Sequence, residues 1–192
     1  MKKLIIASLV GSVILFIWGA ISWMFLPIHT QTFHYSPAQD SIMNALNNAN
    51  LESGAYIMPS VDNRNVKLFD SEYQKECMKM HEANKGKPVA TIFYVKEGVN
   101  ESPATMIKGF LYQFISVFCV ALLLVASSHK VTTFFHRWWL VMLVAVVLSI
   151  EGPLMGYNWM GLPWHYVKDI IADHIFGWGL CGLWLAWYLG RE

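Results

Sequence analysis

The sequence predicts an all-α membrane bundle: four transmembrane helices, with a small extracytoplasmic α+β cap between helices 1 and 2. Three observations predict it. Hydrophobic residues make up 55% of the chain and charged residues only 14%, against roughly 45–50% and about 25% in soluble domains. Four apolar runs approach the length of about 20 helical residues that a bilayer core of about 30 Å demands. Nearly all the remaining polar sequence collects in one block between the first run and the second. The chain then divides into helix 1 (1–26), the cap (27–106) and helices 2–4 (107–192).

Each element follows in order. Lys2 and Lys3 precede an uncharged run over 4–26, which ends Trp23-Met24-Phe25-Leu26-Pro27. A secretory signal has a shorter apolar core and a small-residue cleavage site, so an uncleaved helix is expected. In the cap, Ser36-Pro37 has the form of an N-cap with proline at the first helical position. Ile42, Met43, Leu46 and Ala49 follow at helical spacing. Residues 54–59 (GAYIMP) predict a strand. Asp70 or Ser71 opens a second helix that stops near Gly86-Lys87-Pro88, and 89–95 (VATIFYV) predicts a second strand. A cap of about 80 residues is marginal alone, so packing on the membrane helices is expected. The later apolar runs are 110–126, 138–150 with extension toward Met155, and 170–189. Trp and Tyr mark several of their ends, as lipid headgroups favour.

Basic residues near the span ends set the expected orientation. Lys2, Lys3, Lys130, Arg137 and Arg191 fall on one side of a four-span chain, and that side should be cytoplasmic. The expectation is a multi-pass protein of the bacterial inner (plasma) membrane, with both termini cytoplasmic and the cap extracytoplasmic.

Several classes are excluded. A net charge of +1 without clustered Lys or Arg excludes a nucleic-acid partner. Cys119 and Cys181 lie in apolar runs and Cys77 stands alone in the polar block, so neither a zinc framework nor a disulfide within the cap is expected. No GxSxG or P-loop occurs.

Ionisable and hydrogen-bonding groups concentrate in 151–177, beside the last two runs. His165, Asp169, Asp173 and Gly177 are spaced four apart and form one column on a helix. A charge facing lipid deep in the bilayer costs about 2.5–3.5 kcal/mol or more, so Asp173 must face protein or water. The candidate ligand-binding residues are Asp173, Asp169, His165, Tyr157, Trp159 and Glu151. A candidate metal set is His29, His165 and Asp173, because imidazole and carboxylate suit Zn, Mn or Fe. The bland alternative is that Asp173 accepts hydrogen bonds from Trp, Tyr or Ser22 and fixes helix packing. Glu151 precedes Gly152-Pro153, so the helix should kink or end there: at an end the acid is solvated, and in a continuing, broken helix it has the usual setting of an ion or substrate site. Residues 156–163 form either a tight turn with interfacial anchors or a loop over a ligand.

Two stretches carry a resemblance. One is Phe16-Ile17-Trp18-Gly19-Ala20-Ile21-Ser22-Trp23 with Leu26-Pro27 and His29. The other is Tyr157-Asn158-Trp159-x-Gly161-x-Pro163-x-x-Tyr166 with Asp173 and Gly177-Trp178. With Glu52-Ser53-Gly54-x-Tyr56, they make the chain similar to a family of uncharacterised small bacterial four-span membrane proteins. The resemblance implies the architecture and no activity. The family has an aromatic or aliphatic run where this chain has Ser149-Ile150-Glu151-Gly152-Pro153, so it extends no role to Glu151.

The sequence names no cofactor and catalytic residues stay unassigned. The leading expectation is a non-enzymatic accessory, interaction or lipid-binding protein of the cell envelope. The alternatives are a membrane-embedded metal- or small-ligand-binding enzyme centred on Asp173, and a small transporter subunit. Expected partners are the lipid bilayer and either another membrane protein or a second copy in a homo-oligomer.

Overall fold

A computed structural model describes residues 1–67, 69–99 and 102–190. Four of its helical stretches are long and apolar enough to cross a membrane: Lys2–Met24, Pro103–Ala126, Phe134–Met160 and Trp164–Leu189. The chain forms two compact units, Met1–Tyr35 with Asn100–Glu192, and Ser36–Val99. The second unit is narrower than the expected 27–106. Residues 26–35 belong with the long helices, and the second span begins at Pro103, behind Ser102.

In the smaller unit, α2 (Gln39–Asn48), β1 (Gly54–Met58), α3 (Ser71–Asn84) and β2 (Ala90–Tyr94) follow in order. β1 and β2 pair antiparallel, with Gly54 opposite Tyr94 and Met58 opposite Ala90. Asp70 caps α3 by accepting from the backbone N–H groups of Glu72 and Tyr73 at 3.0 and 3.1 Å. Ser36 does not cap α2. Its hydroxyl accepts from Ala38 N in a turn before the helix, which starts at Gln39. Tyr94 is buried and donates its hydroxyl to Asn47 Oδ1 at 3.0 Å, tying the sheet to α2. On the surface, hydrogen bonds from Arg64 hold the Asp62 carboxyl down to about 2. Both side chains are exposed, so the pair orders its loop and adds little stability.

In the larger unit, α1 (Lys2–Met24) packs against both α4 (Pro103–Ala126) and α7 (Trp164–Leu189), and α7 also packs against α5 (Phe134–Ser149). The core between them includes Val117, Leu124, Val141, Ala145, Cys181 and Leu185. Small residues let the backbones approach. A Cβ on Gly11 would stand 2.7 Å from Val117 Cγ1 and 3.0 Å from Cys181 Sγ. Indoles bridge helices to backbone carbonyls: Trp184 Nε1 donates to Ala7 O at 3.0 Å and Trp138 Nε1 to Gly179 O at 3.1 Å. Ser8 and Ser12, fully buried, donate to the carbonyls of Leu4 and Ser8 one turn earlier, so neither hydroxyl is wasted in the apolar core.

The third span does not end at Glu151, and the acid stands at a distortion of the helix. After α5 the span passes through a π-helical turn, Ile150–Leu154, and continues as α6 (Met155–Met160). Pro153 has no N–H and its ring crowds the carbonyl of residue 149, and a widened turn accommodates both. The helix stops at Gly161, whose φ of 68° is the left-handed cap that glycine supplies at least cost. Arg191, used above for orientation, lies outside the described residues.

Candidate functional site

Asp173 lies where α7 meets the last turn of α1. The two helices run antiparallel, with Trp184 beside Ala7, Cys181 beside Gly11, Gly177 beside Trp18 and Asp173 beside Ser22. A Cβ on Gly177 would come within 2.9 Å of Trp18 Cδ1, so the missing side chain is what admits the indole. Along α7, Asp173 is roughly 14 Å past Trp164. Measured against α1 it is shallow, because Ser22 lies in the final turn before Met24. The first turns of α7 therefore extend beyond the end of α1.

The carboxylate accepts four hydrogen bonds. Trp18 Nε1 donates to Oδ1 at 3.2 Å, and Ser22 Oγ donates to the same oxygen. Trp23 Nε1 and His29 Nε2 meet Oδ2 at 3.1 and 3.0 Å. An ionised carboxylate offers about four lone-pair sites, so its accepting capacity is filled. Three donors come from α1. The fourth, His29, is delivered by a short 3₁₀ turn, Pro27–His29, in which Pro27 fixes the chain's direction as it leaves the helix.

The network continues through His29. Its Nδ1 lies 3.0 Å from Thr32 Oγ1, and Thr32 donates its hydroxyl to Asp169 Oδ2 at 2.6 Å. Counting hydrogens fixes the ring. Thr32 has one proton and gives it to Asp169, so His29 Nδ1 must donate to Thr32. Nε2 shares one further proton with the Asp173 carboxyl group, so the ring links the two acids. Trp23 stacks on it, with centroids 3.8 Å apart and planes 7° from parallel, an arrangement that also suits a cation. Lys168 Nζ stands 3.2 Å from the second carboxylate, Asp169. The His29, Thr32 and Asp169 side chains are almost completely enclosed.

Ser22, His29 and Asp173 are the residue types of a nucleophilic triad, but their wiring differs. In a triad, histidine bridges serine and acid through different nitrogens. Here Ser22 donates directly to the acid, and both contact the same His29 nitrogen. Ser22 is fully buried, so no substrate reaches its oxygen. The expected metal set is not gathered either. His165 stacks on His34 with centroids 4.4 Å apart. Among the described residues, no three His, Cys, Asp or Glu side chains converge as metal ligands.

The other candidates are dispersed. Tyr157 and Trp159 are exposed on α6, with Tyr157 edge-on to Trp164. Glu151 is exposed on the π turn. Ser149 meets His174 at 3.3 Å, which puts Glu151 about level with Asp173 on the outside of the bundle. Ser149 donates to Ala145 O at 2.8 Å, so His174 Nδ1 is the donor in that contact.

Beside the Asp173 cluster is a cavity of about 400 Å³, lined by residues that include Leu15, Trp18, Gln113, Leu148, Asp173 and His174. It lies among α1, α4, α5 and α7. Its lining residues Tyr112 on α4, Leu148 on α5 and Trp23 at the end of α1 are exposed. Among the described residues, no Lys or Arg lines it. The Gln113 carboxamide oxygen is buried without a hydrogen-bond partner among the described residues. Sequence reasoning missed Thr32 and Gln113. Thr32 gives no signal of its own, whereas Gln113 is a carboxamide inside an apolar run, a type that is rarely placed there idly.

No family model matches the chain, and neither a curated protein nor a solved structure matches it.

Proposed function

We propose that this chain is a non-enzymatic, lipid-binding protein of the bacterial inner membrane, and that its ligand occupies the cavity among α1, α4, α5 and α7. The observation that carries this reading is the contrast in the site itself. The Asp173 carboxylate has every acceptor position filled, whereas the neighbouring cavity is roomy and mostly apolar. A saturated acid braces a wall rather than reacting. A cavity walled by four apolar spans suits molecules dissolved in the bilayer. The enzyme and transporter alternatives have less support, because the Ser22 oxygen is inaccessible and Glu151 is separated from the cavity.

Lys2, Lys3, Lys130 and Arg137 support a cytoplasmic position for the end of the bundle that bears the N-terminus. The Arg137 side chain lies against Gly190 at the end of α7, where a cation also complements the helix dipole. A cysteine placed at Ser128 in a cysteine-free background should react with an impermeant maleimide only after cells are opened. Labelling of intact cells would reverse the orientation.

The binding reading is tested by extracting purified protein with organic solvent and quantifying released lipid by mass spectrometry. The wild type should release about one enriched lipid species per chain. Gly19→Trp should release none, because Gly19 lines the cavity and its Cβ direction is open. Identical lipid recovery from both proteins would refute the site.

A further inference from the structure

The lining of the cavity narrows the class of ligand. Its volume of about 400 Å³ equals roughly thirteen water volumes of about 30 Å³ each. That space takes one ring and the start of one tail, and a two-chain phospholipid is several times larger. Trp18, Trp23, Tyr112, His174 and Trp178 give it flat aromatic walls, which suit a flat guest. Several polar groups around it are already engaged. Trp18 and Trp23 donate to Asp173, and Ser116 donates to the Tyr112 carbonyl. Trp178 and His174 differ. Neither Trp178 Nε1 nor His174 Nε2 has a hydrogen-bond partner among the described residues, and neither is sealed off. Gln113 Oε1 is the one side-chain nitrogen or oxygen among those residues that is both enclosed and unpartnered. Trp178 is only 7% exposed and lines the cavity, so the cavity is the open space that its N–H meets. His174 lines it too, and with Nδ1 turned to Ser149 on α5, Nε2 points away from that helix.

The two groups are complementary in kind. His174 Nδ1 donates to Ser149, so in the neutral ring Nε2 is an acceptor. The Trp178 indole is a donor only. The residues are four apart on α7, so they lie one above the other on one face, about 6 Å apart along the axis. We propose that this acceptor and this donor hold the head of an isoprenoid hydroquinone, one hydroxyl donating to His174 Nε2 and the oxygen across the ring accepting from Trp178 Nε1. The proposal rests on the lipid-binding reading above and adds the ligand's class and its reduced state. Such a head is neutral, as a cavity with no Lys or Arg among its described lining residues requires. Its ring matches the aromatic walls, and its one prenyl tail leaves the remainder of the molecule to the bilayer. The oxidised quinone fits less well, because its carbonyl would set a lone pair against that of Nε2. The four donors already on Asp173 keep that acid from competing for the hydroxyl. Benzoquinols and naphthoquinols share this chemistry.

The test uses the full chain in lipid nanodiscs under argon, reading retention of tritiated probes in excess of empty nanodiscs. One arm compares decyl-ubiquinol with decyl-ubiquinone, and the other compares a short-tailed menaquinol with its quinone. The wild type should bind the quinol about tenfold tighter than the quinone in at least one arm, and that arm identifies the source. The preference should fall to about onefold in His174→Phe, which keeps a flat ring and removes the acceptor. Trp178→Phe should weaken both forms about equally, because each offers an oxygen to the indole. Equal binding of quinol and quinone to the wild type in both arms, or tighter binding of the quinone, overturns the proposal. That comparison needs no variant, so misfolding of His174→Phe cannot obscure it. If neither quinol is retained while solvent extraction still releases an enriched phospholipid that Gly19→Trp lacks, the lipid site stands and the quinol proposal falls. If no probe is retained and extraction releases nothing enriched, both fall.

Discussion

Asp173 and Gln113 are both polar side chains in an apolar bundle, and their surroundings treat them in opposite ways. Asp173 collects four donors from α1 and the turn that follows it, and the network extends through His29 and Thr32 to a second acid, Asp169. The carboxamide oxygen of Gln113, on α4 about 12 Å further along the bundle, is enclosed with no partner among the described residues. In a medium of low dielectric these are different statements about purpose. A fully partnered charge network specifies one packing arrangement and is costly to open from either side. A lone enclosed acceptor specifies no packing of its own and costs free energy in the fold.

The comparison is broken most forcefully at the acid. Asp173→Leu removes the shared partner of two indoles, a hydroxyl and an imidazole ring at once. Stability should drop by about 3–5 kcal/mol, the range for stripping one partner from a buried charge pair. Equilibrium unfolding in detergent micelles measures it, and a loss below about 1 kcal/mol would mean that the network is ornamental. Thr32→Val probes the far end of the same network at nearly constant volume. It leaves the His29 Nδ1–H without an acceptor and Asp169 without its hydroxyl donor. The expected loss is about 1–3 kcal/mol. Nitrogen chemical shifts of His29 should change with it, and an unaltered ring spectrum would contradict the hydrogen count.

Much of this was legible in the sequence, for identifiable reasons. Span number and position follow from run length, because a bilayer sets a minimum that few soluble helices meet. Asp173 announces itself because an acid in an apolar run must be partnered, and Gly177 announces the close contact beside it. The column of residues four apart was real, but spacing along one helix does not say what arrives from elsewhere. The turn at Pro27–His29 brings His29 and Thr32 to Asp173 and Asp169, while residue 34 reaches His165. The proposed metal trio dissolves for that reason. Pro153 signalled a kink or an end, and the chain takes a π turn within a continuous span, because a helix can widen around a proline when neighbouring helices hold it. Gln113 was visible as a residue type, but its lack of a partner is a property of several helices packed together.

The sharpest test compares unfolding free energies of Asp173→Leu and Gln113→Leu in lauryldimethylamine oxide, a detergent without a hydroxyl group to donate. Asp173→Leu should lose about 3–5 kcal/mol. Gln113→Leu should lose nothing and gain up to about 1 kcal/mol, since it trades an orphaned acceptor for packed hydrocarbon. Comparable losses from the two substitutions would contradict the division of the bundle into a brace and a binding cavity.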